Sequence, residues 1–127
     1  MSQEEDNKAL MRRWYDEMWA NLDFAKIPEL AGPNYTRHDI RGTRVVTAEA
    51  YRDELLPVAG QWQISDFKYF LMAEGDYVTA IGSWKINGEM QWDWVQTFRV
   101  ADGKLVETWL PAMALEGQWG LDEIPEG

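Results

Sequence analysis

The sequence predicts an α+β fold in which a curved antiparallel β-sheet packs against three N-terminal α-helices to form a cone. Three observations predict it. Apolar residues recur at helical spacing over residues 2–22. From Gln61 onward they alternate at the period of a strand. The dipeptides Asn87-Gly88 and Asp102-Gly103 then divide the second half into hairpins. Helices first and strands after is the order of an α+β domain. A strongly curved sheet closed on one side by helices leaves an open mouth, and such a mouth is a pocket.

The first helix spans residues 2–22. Ser2 and Glu5 fit a capping box. Leu10, Met11, Trp14, Tyr15, Met18, Trp19 and Leu22 form its apolar side. Arg12, Arg13, Asp16 and Glu17 share the opposite face, with arginine and carboxylate four residues apart. A short second helical piece follows around Pro28, a residue tolerated only in a first turn, and Gly32 ends it. Residues 34–40 read as a strand carrying His38, the only histidine. Thr47 caps a third helix that runs through Tyr51 and Leu55 to Pro57.

In the strand half, Trp62 and Ile64 alternate in one phase and Phe67, Tyr69 and Leu71 in the other. The slip near Ser65-Asp66 predicts a bulge. Glu74-Gly75-Asp76 turns into a strand over residues 77–86. The central hairpin covers residues 91–109, and its turn admits two closures. A two-residue type I′ loop puts Gln96 on the face of Trp109. A three-residue loop puts Gln96 beside Thr108. The three-residue closure gathers Trp92, Trp94, Gln96, Phe98, Val106, Thr108 and Leu110 on one face. Gln91, Asp93, Thr97, Arg99 and Glu107 fall on the other. That choice separates charge from apolar bulk and is the one expected. The same closure at Asn87-Gly88 adds Gly82, Trp84 and Met90 to the apolar face.

Composition bounds the function. A chain of 127 residues is the size of one domain, and residues 1–127 are expected to form one, with residues 1–6 and 116–127 loosely ordered. There is no cysteine, hence no disulfide and no thiolate metal site. The formal net charge of −10, from 22 acidic and 12 basic residues, argues against a nucleic-acid partner. No apolar run approaches the ~20 residues of a membrane span. The acidic start lacks the basic and apolar regions of a signal peptide, so a cytoplasmic location is expected.

Three segments carry a family resemblance. Asn7-Lys8-Ala9-Leu10-Met11-Arg12-Arg13-Trp14-Tyr15 resembles the opening helix of the SnoaL-like polyketide cyclases. Tyr35-Thr36-Arg37-His38-Asp39 resembles their Tyr-x-Arg-His-Asp segment. Residues 98–109, from Phe98-Arg99 through Asp102-Gly103-Lys104 to Glu107-Thr108-Trp109, resemble their closing hairpin. The similarity runs from about residue 7 to about residue 112. It implies the cone shared with nuclear transport factor 2 and ketosteroid isomerase, and a homodimer. It also implies where chemistry belongs. In the cyclases an aspartate directly after the His-Trp pair is the acid/base. Leu110 stands at that position, and Thr108 replaces the histidine. A second polar position of the family, on the preceding strand, falls on Gln96.

The candidate catalytic residues are therefore His38 and Gln96. Histidine is the side chain that titrates near neutral pH unperturbed, and glutamine donates hydrogen bonds without ionising. Tyr15 and Thr108 join Gln96 as groups able to hold a carbonyl or hydroxyl. Trp14, Trp84, Trp92, Trp94, Phe98 and Leu110 are expected to wall a site for a flat ligand. Plain core packing is the other reading of the same residues. No metal or cofactor is expected. The partner is expected to be a small, largely apolar compound, aromatic or polycyclic and bearing a carbonyl. Two functions fit: an enzyme of proton transfer, such as cyclisation or isomerisation, or a binding module that kept the cone and lost the acid. Dehydration or hydrolysis through His38 and a pocket water is a third. The outer sheet face, with Ile81, Val95 and Trp109, is the expected dimer surface.

Overall fold

A computed structural model describes residues 2–115 and Trp119, with backbone alone for residues 111–115. The expectation for residues 116–127 therefore lies, Trp119 apart, outside the described residues.

Helix α1 is Gln3–Arg13. Ser2 Oγ accepts from the Glu5 N–H at 3.1 Å, and Glu4, Glu5 and Asp6 sit at the positive end of the helix dipole. The acidic start is thus the first turn of the helix rather than a loose end. Glu4 accepts from the Gly75 N–H at 3.0 Å, which fastens that turn to the sheet. Beyond Arg13 the expected α-helix widens. Trp14–Trp19 is a π-helix, with the Ala20 N–H donating to the Tyr15 carbonyl at 2.8 Å. In an α-helix adjacent residues point about 100° apart. The wider winding brings Trp14 and Tyr15 to one buried side together with Met18. π-Turns of this kind occur frequently at functional sites.

Helix α2, Ile27–Leu30, begins with Pro28 near its start and leads directly into strand β1, Ala31–Asp39. Strand β2 is Gly42–Thr47 and helix α3 is Ala48–Leu55. Thr47 caps α3 as expected, its Oγ1 accepting from Ala50 N–H at 3.1 Å. The remaining strands are β3 (Ile64–Glu74), β4 (Tyr77–Ile86), β5 (Met90–Ala101) and β6 (Lys104–Leu115). They form one six-stranded sheet in the order β2-β1-β6-β5-β4-β3.

Three expectations need correction. The sheet is mixed, because β1 runs parallel to β6. Most of the chain separates those two strands, so no tight hairpin sets their relative direction. Strand β2 was not expected at all. It is an exposed edge strand, so its sequence carries no alternation of apolar and polar residues. The third correction is the closure of the β5–β6 hairpin. Ala101 pairs with Lys104, so the loop has two residues, and Asp102 and Gly103 both have positive φ (52° and 74°) as a type I′ turn requires. A bulge between Arg99 and Val100 then restores the expected facing, and Phe98 pairs with Thr108. The loop differs from the expectation; the face assignment stands for Phe98 and Thr108, but Val106, expected on the apolar face, is the unpaired bulge residue, and Leu105 enters the core in its place. At Asn87-Gly88 the three-residue closure occurs, with Ile86 opposite Met90. The bulge in β3 also occurs, between Ser65 and Lys68, where Asp66 has φ 51°.

Met11, Trp14, Tyr15 and Met18 from the first helical segment pack with Phe24, Ile27 and Leu30 against Leu71, Val78, Ala80, Trp94, Phe98 and Leu105 of the sheet. Asp93 lies on the face opposite Trp92 and Trp94, as expected. It is fully buried and accepts from the backbone N–H of Trp119 at 3.0 Å. No helix among the described residues is long and apolar enough to cross a membrane.

Candidate ligand-binding site

Between the π-helical segment and the concave sheet lies a cavity of about 170 Å³. Strands β4 and β5 supply its floor through a cross-strand ladder. Trp84 pairs with Trp92, Gly82 with Trp94, and Ala80 with Gln96. Alternation along each strand therefore turns Trp92, Trp94 and Gln96 to the same side. Trp14 and Trp19 close it from the helix, Tyr51 and Leu55 from α3, and Trp62, Arg37 and Leu110 complete the lining.

The indoles pack in tilted and edge-on contacts. Trp84 lies 5.4 Å from both Trp19 and Trp94 between ring centroids, and Trp62 lies 5.8 Å from Trp92. Trp94 lies across Gly82, and a methyl group there would overlap its ring. The glycine is what lets the indole lie on the strand.

Behind the wall runs a chain of hydrogen bonds. Tyr15 Oη donates to Gln96 Oε1 (2.9 Å), Gln96 Nε2 donates to Thr108 Oγ1 (3.0 Å), and Thr108 Oγ1 donates to the Thr97 carbonyl (3.0 Å). Tyr15 and Thr108 are buried and do not line the cavity. They hold Gln96 from behind. Phe98 is likewise core, between Trp14 and Tyr35. Burial pushes the Tyr15 phenol well above the usual tyrosine range, aided by neighbouring Tyr35 and Tyr69.

His38 is not in the cavity. Thr36, Arg37 and His38 pair in parallel with Glu107, Thr108 and Trp109. Arg37 thus shares the inner face with Thr108, and His38 shares the outer face with Trp109 and Glu107. The histidine stacks on Trp109 (5.0 Å between centroids), places Nε2 2.6 Å from Glu107 Oε2, and places Nδ1 2.8 Å from Thr43 Oγ1. Arg99 Nε donates to the other oxygen of Glu107 at 2.9 Å. The hydrogen bond from His38, with that from Arg99, holds the Glu107 carboxyl below the usual carboxylate range against the opposing effect of burial. The expectation that His38 faces the pocket is corrected by strand alternation. Tyr35 is buried, so the inward residues of β1 are Tyr35 and Arg37.

The structure thus brings together Trp14, Trp84, Trp92, Trp94, Gln96 and Leu110 from the expected set. Sequence reasoning missed Arg37, Trp19, Tyr51, Leu55 and Trp62. Arg37 was readable: it stands two residues from the aromatic Tyr35. Its guanidinium carbon sits 4.7 Å from the centroid of the Tyr51 ring. Trp62 alternates in phase with Ile64 but precedes the first residue of β3, so alternation alone did not place it at the cavity.

The model of the SnoaL-like domain matches residues 11–108, most of the chain. The protein belongs to the SnoaL-like domain family. No curated protein matches the sequence. Among solved structures, a candidate polyketide cyclase from Acidithiobacillus ferrooxidans superposes with a TM-score of 0.75 at 16% identity, covering 91% of this chain and 92% of the other. A candidate ketosteroid isomerase from Kribbella flavida gives 0.71 at 18% identity, covering 87% and 80%. An LEH-like epoxide hydrolase of M. tuberculosis gives 0.68 at 15%, covering 87% and 84%. At these identities the SnoaL-like chain shares their fold. The α+β cone is thereby established, and its chemistry has to come from its own residues.

Proposed function

We propose that this SnoaL-like protein binds a small, flat, largely apolar carbonyl compound in its cone and that the described residues supply no general acid or base to it. The lining carries the reading. It contains Trp14, Trp19, Trp62, Trp84, Trp92 and Trp94 and, among the described residues, no histidine, aspartate or glutamate. General acid–base catalysis needs a titrating group within hydrogen-bond reach of the reacting atom. His38 stands on the other side of the sheet, Leu110 occupies the family's acid position, and burial raises the Tyr51 phenol. The binding module that kept the cone and lost the acid is the better-supported function.

Size narrows the ligand. A cavity of about 150 Å³ holds benzene, so about 170 Å³ suits one substituted ring rather than a polycyclic skeleton. Gln96 orients the carbonyl, because only one of its two amide hydrogens is committed to Thr108. The test is a titration of tryptophan fluorescence with single-ring aromatic carbonyl compounds, with chromatography of each mixture. Saturable quenching without conversion is expected. No quenching by any of them would sink the pocket, and conversion would sink the non-catalytic part.

The assembly is proposed as a homodimer through the outer sheet face. The strand registers line up Ile81 with Val95, and Trp109 packs beside the half-exposed Tyr77 there. Apolar surface of this kind is usually covered. Light scattering at micromolar concentration giving a monomer mass would remove this reading.

A further inference from the structure

Five buried side-chain polar atoms among the described residues have no hydrogen-bond partner: the indole Nε1 atoms of Trp14, Trp84, Trp92 and Trp94, and Nε of Arg37. All five belong to residues that line the one cavity. All five are donors, since neither an indole nor a guanidinium accepts. Buried polar groups are normally paired, and each exception asks for an explanation. One tryptophan without a partner is unremarkable. The five atoms are closed off from solvent, but all sit on residues of a single cavity whose described lining residues include no carboxylate, which is a bias toward an acceptor.

Arg37 gives the bias a sign. It makes no ion pair with any described carboxylate, and its guanidinium rests on the Tyr51 ring. It also lines a second, open depression of about 560 Å³, which shares Leu110 with the cavity and carries Arg41 and Arg44. Three guanidinium groups there face two carboxylates, Asp39 and Glu54, and Arg44 is already clamped by Glu54 at 2.6 and 2.8 Å. In a chain of net charge −10 this is a local excess of positive charge at the mouth of an aromatic cavity.

We infer that the ligand of the cone is a single-ring aromatic carboxylate, its ring among the indoles and its carboxylate on Arg37. The inference rests on the binding reading above and adds the charged end. The tryptophan walls supply sequence-tolerant stacking for the ring. The guanidinium is a permanent cation whose planar fork matches two carboxylate oxygens. Desolvation of Arg37 by the wall strengthens that pairing relative to an exposed arginine. A neutral ester of the same ring would fill the volume and leave the guanidinium unpaired.

The experiment compares benzoate with methyl benzoate by tryptophan fluorescence, on the full chain and on Arg37→Met and Arg37→Lys. For the wild type the acid should bind about ten-fold or more tightly than the ester, the margin expected of a charged hydrogen-bonded pair. Arg37→Met should lose that margin by weakening the acid alone, and Arg37→Lys should recover part of it. Equal affinity for acid and ester in the wild type, or a margin that survives Arg37→Met, overturns the carboxylate inference while leaving the pocket standing. Failure of both probes to bind removes the pocket and the inference together. If Arg37→Met does not fold, the wild-type ratio and the Arg37→Lys ratio decide.

Discussion

Tyr15 Oη donates to Gln96 Oε1 across 2.9 Å, joining the π-helical segment to β5 over 81 residues of chain. The direction of this bond is forced. The Thr97 carbonyl can only accept, so Thr108 spends its proton there and must itself accept from Gln96 Nε2. The amide oxygen of Gln96 is then the acceptor that faces Tyr15. Tyr15→Phe would leave that oxygen buried without its donor. We predict a loss of about 1–2 kcal/mol, read as a fall of a few degrees in Tm, with benzoate affinity nearly unchanged. An unchanged Tm would mean that water replaces the phenol.

The same residue sets an alkaline limit. Tyr15, Tyr35 and Tyr51 all have phenols raised by burial, those of Tyr15 and Tyr35 well above the ordinary range. A raised group contributes stability that is fully present below its unfolded value and lost as pH rises toward the folded one. Stability should therefore fall once pH passes the ordinary tyrosine range, and Tyr15→Phe should make the fall shallower. Tyrosinate absorbance measured beside circular dichroism checks this. Ionisation of all the tyrosines before any loss of structure would contradict it.

Glu107 sets the acid side. Its carboxyl is depressed first by the His38 hydrogen bond and also by Arg99. The stability it contributes is present above the ordinary carboxylate range and lost as pH falls through its depressed value. Glu107→Gln should cost about 1 kcal/mol at neutral pH, and this difference should vanish in acid. His38→Gln should destabilise by a similar amount and leave ligand binding intact, because the ring stands on the outer face. A His38→Gln variant that loses benzoate affinity would contradict this placement.

Gly82→Ala tests the cavity wall from beneath. The added methyl would overlap the Trp94 ring, and overpacking of this kind costs about 1–3 kcal/mol. Trp94 would have to tilt into the cavity. Near-ultraviolet circular dichroism should change, and benzoate affinity should fall at least about ten-fold, a loss of ~1.4 kcal/mol. Ala80→Gly, two cross-strand pairs away on the same face, is the control for a mere loss of strand stability.

Leu110→Asp restores a carboxylate at the family's acid position. Leu110 and Arg37 line both the cavity and the outer depression. A carboxylate there would pair with Arg37 and compete with an acidic ligand. Benzoate binding should weaken about ten-fold or more, while methyl benzoate should be little affected. A variant that binds benzoate as tightly as the wild type would place residue 110 out of reach of the guanidinium.

Local signals in the sequence were enough for much of this protein. The Ser2 and Thr47 caps, the Asn87-Gly88 turn and the slip at Ser65-Asp66 are legible because each depends on a few neighbouring residues. Alternation along β4 and β5 placed Trp84, Trp92, Trp94 and Gln96 on one face for the same reason. Three motifs in order then carried the family. What the tertiary structure decided are relations between distant segments. Alternation with buried Tyr35 already turns Arg37 inward and His38 outward, but the parallel pairing of β1 with β6 set His38 beside Glu107, and no local pattern encodes which strand becomes a neighbour. The bulge after Arg99 offset a two-residue turn, so a face assignment survived a mistaken loop. The spacing put Trp14 and Tyr15 on the apolar side, but the π-helical winding over Trp14–Trp19 was set by packing. In each case the deciding free energy is burial against a partner far away in the chain, a quantity that spacing alone does not contain.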